Sequence, residues 1–309
     1  CFNINFDSIR WVLSLDHKDF LDPTFFHIAD RFFELSTSYG FKYTIFVIGE
    51  DLERPEVAER VKEWSRAGHE IGNHSYTHRV DLGSLNKNDL ETEVMRSHEL
   101  ITKVSGKEPR GFIAPAWAAS DGLVDILLKN GYLYDTSVFP SYFMWLGLVK
   151  IWWNFRNDNR RGSLLRRRDM AANLFASRKP YFSRGRSLIK SDSDGLLEIP
   201  LPVTPFLRIP CWHAIAFLFP KDFFDFILNL SLRDDYFYYL LHPTDLFDIK
   251  DIPVKSRKIQ NFERLNAPLE RKMQMLRSSF ETIIRRSQKI VTLEEIAKEI
   301  ISERQNNKK

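Results

Sequence analysis

Apolar and polar residues follow two alternating periodicities along the chain. Short apolar runs rich in β-branched and aromatic residues predict strands, and longer stretches with apolar residues every three or four positions predict helices. The predicted strands cover residues 11–15, 43–48, 70–72, 112–114, 132–138, 196–201 and 236–241. The predicted helices cover 24–39, a segment from Pro55, a segment from Asn88, 121–128, 221–230 and 261–286. Repeated strand–helix alternation predicts a parallel α/β fold.

Polar residues suited to catalysis follow several of the predicted strands. These residues are Asp16, His74, Asp135 and His242. A barrel of parallel strands gathers such residues at the carboxyl ends of its strands. An open doubly wound sheet is the alternative, but the sequence has no G-x-G-x-x-G turn to support it. We therefore predict a barrel.

The domain organisation follows from where the alternation stops. We predict one domain over residues 1–300, with an insertion at 140–195 that holds no clear strand–helix unit. Residues 301–309 are predicted to form a flexible tail.

Composition and charge narrow the class of protein. Of 309 residues, 43% are hydrophobic and 28% charged, which is typical of a globular protein. The only two cysteines, Cys1 and Cys211, exclude a scaffold held by several disulfides. No apolar run approaches the roughly 18–20 residues that span a bilayer. We expect a soluble protein or one peripheral to a membrane surface, with its compartment left open.

His74 and His78 form the strongest local signal for chemistry. We expect these two histidines to lie on one face of a helical turn, where they can bind one divalent metal ion. Imidazole nitrogens suit Zn²⁺ and related ions. The alternative is a pair of unrelated polar loop residues.

The sequence around these histidines resembles a known family. Residues 68–78, G-H-E-I-G-N-H-S-Y-T-H, resemble the second motif of the polysaccharide deacetylases, the NodB-homology group or carbohydrate esterase family 4. Further segments resemble the other motifs of that family in the same order, at 14–17, 111–117, 131–140, 241–243 and 291–296. The resemblance implies a distorted (β/α)7 barrel, which agrees with the strand–helix alternation.

The resemblance also implies a metal-dependent hydrolase that removes an N-acetyl or similar acyl group from an amino sugar. Its metal ligands would be His74 and His78, with Zn²⁺ as the expected ion. The carboxylate that the family uses as third ligand is replaced by His17. Either His17 or Asp19 completes the site, and we favour Asp19 because a carboxylate keeps the usual charge of a two-histidine, one-carboxylate site.

Four further residues receive catalytic roles from the resemblance. Asp16 would be the general base, and His242 would be the general acid that protonates the leaving amine. The backbone N–H of Ala116 would stabilise the oxyanion. Asp135 would orient His242.

One departure from the family pattern leaves the activity open. The arginine that contacts the catalytic aspartate in the family is replaced by Ile113, and Arg110 is a weaker candidate for the same contact. An apolar neighbour is expected to raise the pKa of Asp16. The alternatives are a barrel that binds glycan or lipid without hydrolysis, and a metal-dependent amidase that acts on a non-sugar amide.

The predicted insertion combines aromatic and basic residues. Within 142–168, Trp, Phe and Tyr residues are followed by six arginines. This composition is compatible with peripheral contact with a membrane or binding of a lipid-linked saccharide, and equally with a solvated basic lobe that covers one end of the barrel. No nucleic-acid-binding module accompanies the basic run, so we expect no nucleic acid partner.

Overall fold

The computed structural model of the chain describes residues 1–13, 22–143, 173, 176–184, 187–191, 195–252 and 263–307. Asp16, His17 and Asp19 lie outside the described residues. So does most of the aromatic and basic segment, from 144 to 172. The roles predicted for these residues therefore stay predictions.

A single nine-stranded sheet forms the centre of the molecule. The strands are β1 (Phe2–Phe6), β2 (Tyr43–Val47), β3 (Glu70–Asn73), β4 (Gly111–Phe112), β5 (Tyr134–Asp135), β6 (Tyr181–Arg184), β7 (Ser187–Ser191), β8 (Leu197–Glu198) and β9 (Tyr239–Leu241). Seven of them are parallel, in the spatial order β9-β1-β2-β3-β4-β5-β8. The antiparallel hairpin β6–β7 extends the sheet beyond β8, within the predicted insertion. This is the predicted distorted (β/α)7 barrel.

The first strand lies earlier in the chain than predicted. It covers Phe2–Phe6, whereas residues 9–13 form a short helix, so the strand predicted at 11–15 was wrong. Phe2, Ile4 and Phe6 pack in the main hydrophobic core, and the intervening asparagines point to the other face of the sheet. These asparagines interrupt the apolar run, which is why the strand was missed. The residue that directly follows the first strand is Asp7.

Nine α-helices accompany the strands in the described part of the chain. They are α1 (Ile9–Leu13), α2 (Ala29–Tyr39), α3 (Pro55–Arg66), α4 (Lys87–Ser105), α5 (Asp121–Lys129), α6 (Lys221–Ser231), α7 (Glu263–Asn266), α8 (Leu269–Arg286) and α9 (Leu293–Asn307). Residues 301–307, predicted as a tail, continue α9. Pro268 separates α7 from α8, so the predicted long terminal helix is divided. Within the described residues, no helix combines the length and apolar character needed to cross a bilayer.

The N-terminus of α9 covers the amino ends of the barrel strands. The backbone N–H of Leu293 donates to the hydroxyl of Thr44 at 2.8 Å, and that of Glu294 donates to the carboxylate of Glu70 at 2.9 Å. The hydroxyl of Tyr134, inside the barrel, donates to the same carboxylate at 2.6 Å. These contacts leave the carboxyl ends of the strands as the open side of the barrel.

A buried ion pair fixes α1, the helix that follows Asp7. The guanidinium Nε of Arg10 lies 3.1 Å from Oδ1 of Asp51, which is fully buried. The backbone N–H of Arg10 donates to Asp22 at 2.8 Å. Burial raises the pKa of Asp51 to about 6, although the charges of Arg10 and Arg54 oppose this shift. Arg10 thus links the start of the chain to the loops after β2 and before α2.

Removing this guanidinium is expected to destabilise the fold. Arg10→Ala leaves the buried carboxyl of Asp51 with fewer partners, and we expect a loss of about 3 kcal/mol in the free energy of unfolding. The measurement is urea denaturation followed by circular dichroism. Arg66→Ala is the control, because that side chain is 68% exposed and its carboxylate partner lies 4.0 Å away. The control should change stability by less than about 0.5 kcal/mol, and an equal loss in both variants would contradict the assignment.

Candidate metal centre and active site

Three side chains meet at the carboxyl ends of β1 and β3. One ligand atom from each of Asp7, His74 and His78 lies within 4.8 Å of the other two. Oδ1 of Asp7 is 3.2 Å from Nε2 of His74 and 3.4 Å from Nε2 of His78. Two imidazole nitrogens and one carboxylate oxygen form a donor set that suits Zn²⁺ and other divalent transition metals. The three residues form the candidate metal centre.

His74 is held in the orientation that a ligand needs. It is 1% exposed, and its Nδ1 lies 2.7 Å from the carbonyl oxygen of Ile113. Because a carbonyl only accepts, Nδ1 carries the proton and Nε2 is the atom left to face a cation. Burial acts to raise the pKa of Asp7, but the electrostatic influence of His78 and His74 outweighs burial and holds that pKa well below its usual range.

The segment between the two histidines is an irregular loop and not the predicted helical turn. Ser75 and His78 adopt left-handed backbone angles, with φ of 61° and 54°, which a continuous α-helix excludes. The carbonyls of Ser75 and Tyr76 accept hydrogen bonds from the backbone N–H groups of Gly49 and Glu50, each at 2.9 Å. The loop after β2 therefore shapes this segment, and the two histidines converge through tertiary contacts.

Glu93, on α4, holds the same loop from the other side. Its carboxylate accepts hydrogen bonds from the backbone N–H groups of Tyr76, at 3.2 Å, and Thr77, at 2.9 Å. It also accepts from the hydroxyl of Thr77 at 2.5 Å. Sequence reasoning missed this residue. The sequence feature that could have indicated Glu93 is the position of an acidic side chain on the buried face of an otherwise amphipathic helix.

His242 lies beside the candidate metal centre, directly after β9. Its Nε2 is 3.9 Å from Oδ2 of Asp7, and its backbone N–H donates to Asp245 at 2.8 Å. The ring packs edge-on against Trp212, with 5.2 Å between centroids. Burial lowers the pKa of His242 to about 4. Among the described residues, its Nδ1 has no hydrogen-bond partner.

Asp135 lies elsewhere, at the end of β5. Its Oδ1 accepts a hydrogen bond from the hydroxyl of Ser137 at 2.5 Å, and that hydroxyl accepts from the backbone N–H of Ala114 at 2.7 Å. Burial raises the pKa of Asp135 and of the adjacent Glu198, and the two carboxyls form a coupled pair. Within the described part of the chain, no hydrogen bond joins Asp135 to His242.

Ala116 occupies a strained turn after β4. In the short 3₁₀ turn Pro115–Trp117, the φ angles of Ala116 and Trp117 are 51° and 53°. The hydrogen bonds from Asp135 through Ser137 to Ala114 support this turn. Its predicted role as an oxyanion donor stays a prediction.

Ile113 and Arg110 take up structural contacts. The side chain of Ile113 is buried in the barrel core, and its carbonyl orients His74. The guanidinium of Arg110 donates to the carbonyl of Gly131 at 2.9 Å and pairs with Glu108 at 3.1 Å, before β4 begins. Arg110 therefore lies at the amino end of its strand, away from the metal centre.

Comparisons with known proteins agree with the motifs. Residues 11–134 match the family model for polysaccharide deacetylase. A peptidoglycan deacetylase of Helicobacter pylori is 34% identical over 121 residues, which are 38% of this chain and 40% of that protein. A peptidoglycan-N-acetylglucosamine deacetylase of Bacillus cereus is 30% identical over 80 residues, which are 26% of this chain and 27% of that protein. The chain thus aligns with less than half the length of these relatives.

The fold is matched over a longer part of the chain. The chain is similar to a crystal structure from Mycobacterium smegmatis that is assigned to the polysaccharide deacetylases. The alignment covers 97% of this chain and 90% of that chain, with 16% sequence identity and a TM-score of 0.56. The chain therefore shares the barrel fold of that structure, and the resemblance to the polysaccharide deacetylases is confirmed over residues 11–134. The family match begins beyond Asp7, so the place of this carboxylate beside the histidines comes from the structure.

Removing the charge of Glu93 should weaken metal binding. Glu93→Gln replaces the charged carboxylate by a neutral amide with one oxygen, which weakens the hydrogen bonds from the N–H groups of Tyr76 and Thr77, so the loop that carries His78 loosens. We expect the affinity for Zn²⁺ to fall about 10- to 100-fold, measured by titration against a chromophoric chelator. Glu91→Gln is the control, since Glu91 lies on the same helix and, within the described residues, its ion pair is with Lys129 at 3.7 Å. Equal affinities in both variants would contradict the role of Glu93.

The coupled carboxyls of Asp135 and Glu198 should make stability depend on pH. Their pKa values are raised in the folded state, so their contribution to stability is present at acid pH. It is lost as the pH rises above the usual carboxyl range. Glu198→Gln should therefore reduce the loss of unfolding free energy between about pH 5 and about pH 8, measured by urea denaturation. Glu108→Gln, whose side chain is 53% exposed, should follow the wild-type curve, and identical curves for all three proteins would refute the coupling.

Proposed function

We propose that this chain is a metal-dependent hydrolase that removes an N-acetyl group from an amino sugar of an acetylated glycan. The observation that carries the proposal is the meeting of Asp7, His74 and His78 at the open end of the barrel, with His242 beside them. The names of the matched relatives make peptidoglycan the first substrate class to test.

The residues present fit a divalent metal ion. Nε2 of His74, Nε2 of His78 and a carboxylate oxygen of Asp7 would hold it, and Zn²⁺ is the ion that this donor set suits best. We assign the third position to Asp7 in place of Asp19 or His17, because Asp7 directly follows the first strand. When bound, such an ion would supply Lewis acidity, which polarises a carbonyl group and lowers the pKa of water.

The chain's own residues would handle the proton and the substrate. The imidazole of His242 would give a proton to the leaving amine, and the ring of Trp212 packs against it. Asp16 remains the proposed general base. The backbone N–H of Ala116 would stabilise the oxyanion, and Asp135 would act as a positioning residue for that turn through Ser137 and Ala114.

A barrel that binds glycan without hydrolysis is the second candidate, and one observation favours it. Asn5 lies in β1, two residues before Asp7, which directly follows that strand. Asn5 is buried, and its Oδ1 has no hydrogen-bond partner among the described residues. Because a neutral amide accepts no proton from water, Asn5 cannot act as a general base. In the described part of the chain, no carboxylate other than Asp7 forms an ion pair with His74 or His78.

Loss of a ligand should abolish both metal binding and hydrolysis. We expect His74→Ala to lose bound metal and to release no acetate from N-acetylated peptidoglycan fragments. His242→Ala should keep its metal but release acetate about 10²- to 10⁴-fold more slowly, because it lacks only the proton donor. Metal content is measured by elemental analysis, and acetate by a coupled assay. His27→Ala, an exposed histidine, is the control.

The outcomes separate the alternatives. Metal content and acetate release that are unchanged in His74→Ala would overturn the proposal. A wild-type protein that binds metal but releases no acetate would favour the binding barrel. Acetate release that persists in Asp16→Asn and in His242→Ala would contradict the catalytic roles of those two residues. Hydrolysis of cyclic amides without hydrolysis of acetylated sugars would assign the activity to a non-sugar amidase.

A lipid-linked saccharide as substrate and peripheral membrane contact through 142–168 also remain part of the proposal. Tyr142 and Phe143 are the described residues at the start of that segment.

A further inference from the structure

A short hairpin between β8 and α6 presents two apolar side chains to solvent. Val203 and Pro210 form an antiparallel bridge at its base, and the backbone N–H of Thr204 donates to the carbonyl of Ile209 at 2.9 Å. At its tip the side chain of Phe206 is 94% exposed and that of Leu207 is 66% exposed. The hairpin is thus an ordered element whose tip residues contribute almost nothing to the core.

The tip backbone is strained in a way that packing does not explain. Phe206 has a φ of 60° and Arg208 a φ of 51°, both in the left-handed region. Bulky residues adopt this region rarely and at a free-energy cost. A large apolar residue held there, outside the core, suggests that the hairpin serves contact with something outside the chain.

A second apolar pair lies beside the hairpin. Tyr142 is 53% exposed and Phe143 is 40% exposed. The hydroxyl of Ser141 donates to the carbonyl of Arg208 at 2.6 Å, and the guanidinium of Arg208 lies 5.5 Å from the centre of the Tyr142 ring. These contacts join the two pairs, and we call the four residues Tyr142, Phe143, Phe206 and Leu207 the apolar tip.

The apolar tip lies on the same side of the barrel as the candidate metal centre. Tyr142 follows β5 and the hairpin follows β8, so both come after the carboxyl ends of parallel strands, as Asp7 and His74 do. Trp212, which comes just after the hairpin, packs against His242. A surface that contacts the tip would therefore face the open end of the barrel.

The charge of the adjoining sequence indicates which surface this is. Residues 144–172, which directly follow Phe143 in the chain, contain Lys150 and six arginines but only two acidic residues, Asp158 and Asp169. Exposed aromatic and leucine side chains next to a basic run favour the interface of an anionic bilayer, where apolar groups enter the headgroup boundary and cations pair with phosphates. The two exposed pairs of the apolar tip present too small an area for a stable interface with another protein, which buries a large, continuous surface.

We propose that the apolar tip is a membrane-docking element that inserts into the interface of an anionic bilayer and places the open end of the barrel at its surface. The proposal does not depend on hydrolysis, because the tip shares no residue with the candidate metal centre. Two residues of the apolar tip, Phe206 and Leu207, lie outside the aromatic and basic segment 142–168.

Vesicle binding by the full chain tests the proposal. We expect the protein to co-sediment with vesicles of phosphatidylcholine mixed with phosphatidylglycerol, more weakly with phosphatidylcholine alone, and less at high salt. The double variant Phe206→Ser/Leu207→Ser should partition at least about tenfold more weakly, with an unchanged circular dichroism spectrum. Phe223→Ser/Phe226→Ser is the matched control, because these aromatic residues are 41% and 56% exposed on the flank of α6. The control should partition like the wild type.

Three results would overturn the proposal. One is the absence of co-sedimentation with either vesicle. Another is partitioning that the Phe206→Ser/Leu207→Ser variant leaves unchanged, or that the α6 control variant lowers equally. The third is a dimer in light scattering that the tip variant dissolves while no vesicle binding is found, which would assign the tip to a second copy of the chain.

Discussion

The approach of one aspartate oxygen to two imidazole nitrogens is the interaction on which the candidate site depends. Asp7 follows β1, and both histidines follow β3. In the sheet, β2 lies between these two strands. Their parallel register places Phe6 beside Val47, and Val47 beside Asn73, which brings the three strand ends to one level. The strand order and register of the barrel therefore set the distances between these three residues.

The surrounding polar contacts turn this proximity into a defined geometry. The carbonyl of Ile113 selects the nitrogen that His74 presents, and the carboxylate of Glu93 holds the loop before His78. Arg10 fixes α1 immediately after Asp7 through its buried pair with Asp51. Each contact comes from a different element, so the metal centre is coupled to the packing of the whole amino-terminal half of the barrel.

The sequence predicted most of the fold and only part of the site. Apolar runs at β2 and β9 and the motif at His74 and His78 are local signals, and the structure agrees with them. β1 was missed because Asn3 and Asn5 face the barrel interior and break its apolar pattern. Without that strand, Asp7 had no reason to be singled out. Glu93 acts only through tertiary hydrogen bonds, which no local pattern reports.

The most direct test of the account is anomalous diffraction from crystals of the full chain grown with Zn²⁺. We expect one anomalous peak about 2.0–2.2 Å from Oδ1 or Oδ2 of Asp7 and from Nε2 of His74 and His78. A peak that is bound by Asp19 or His17 while Asp7 stays outside its coordination shell would contradict the assignment of Asp7. The absence of any peak between the two histidines would contradict the metal centre itself.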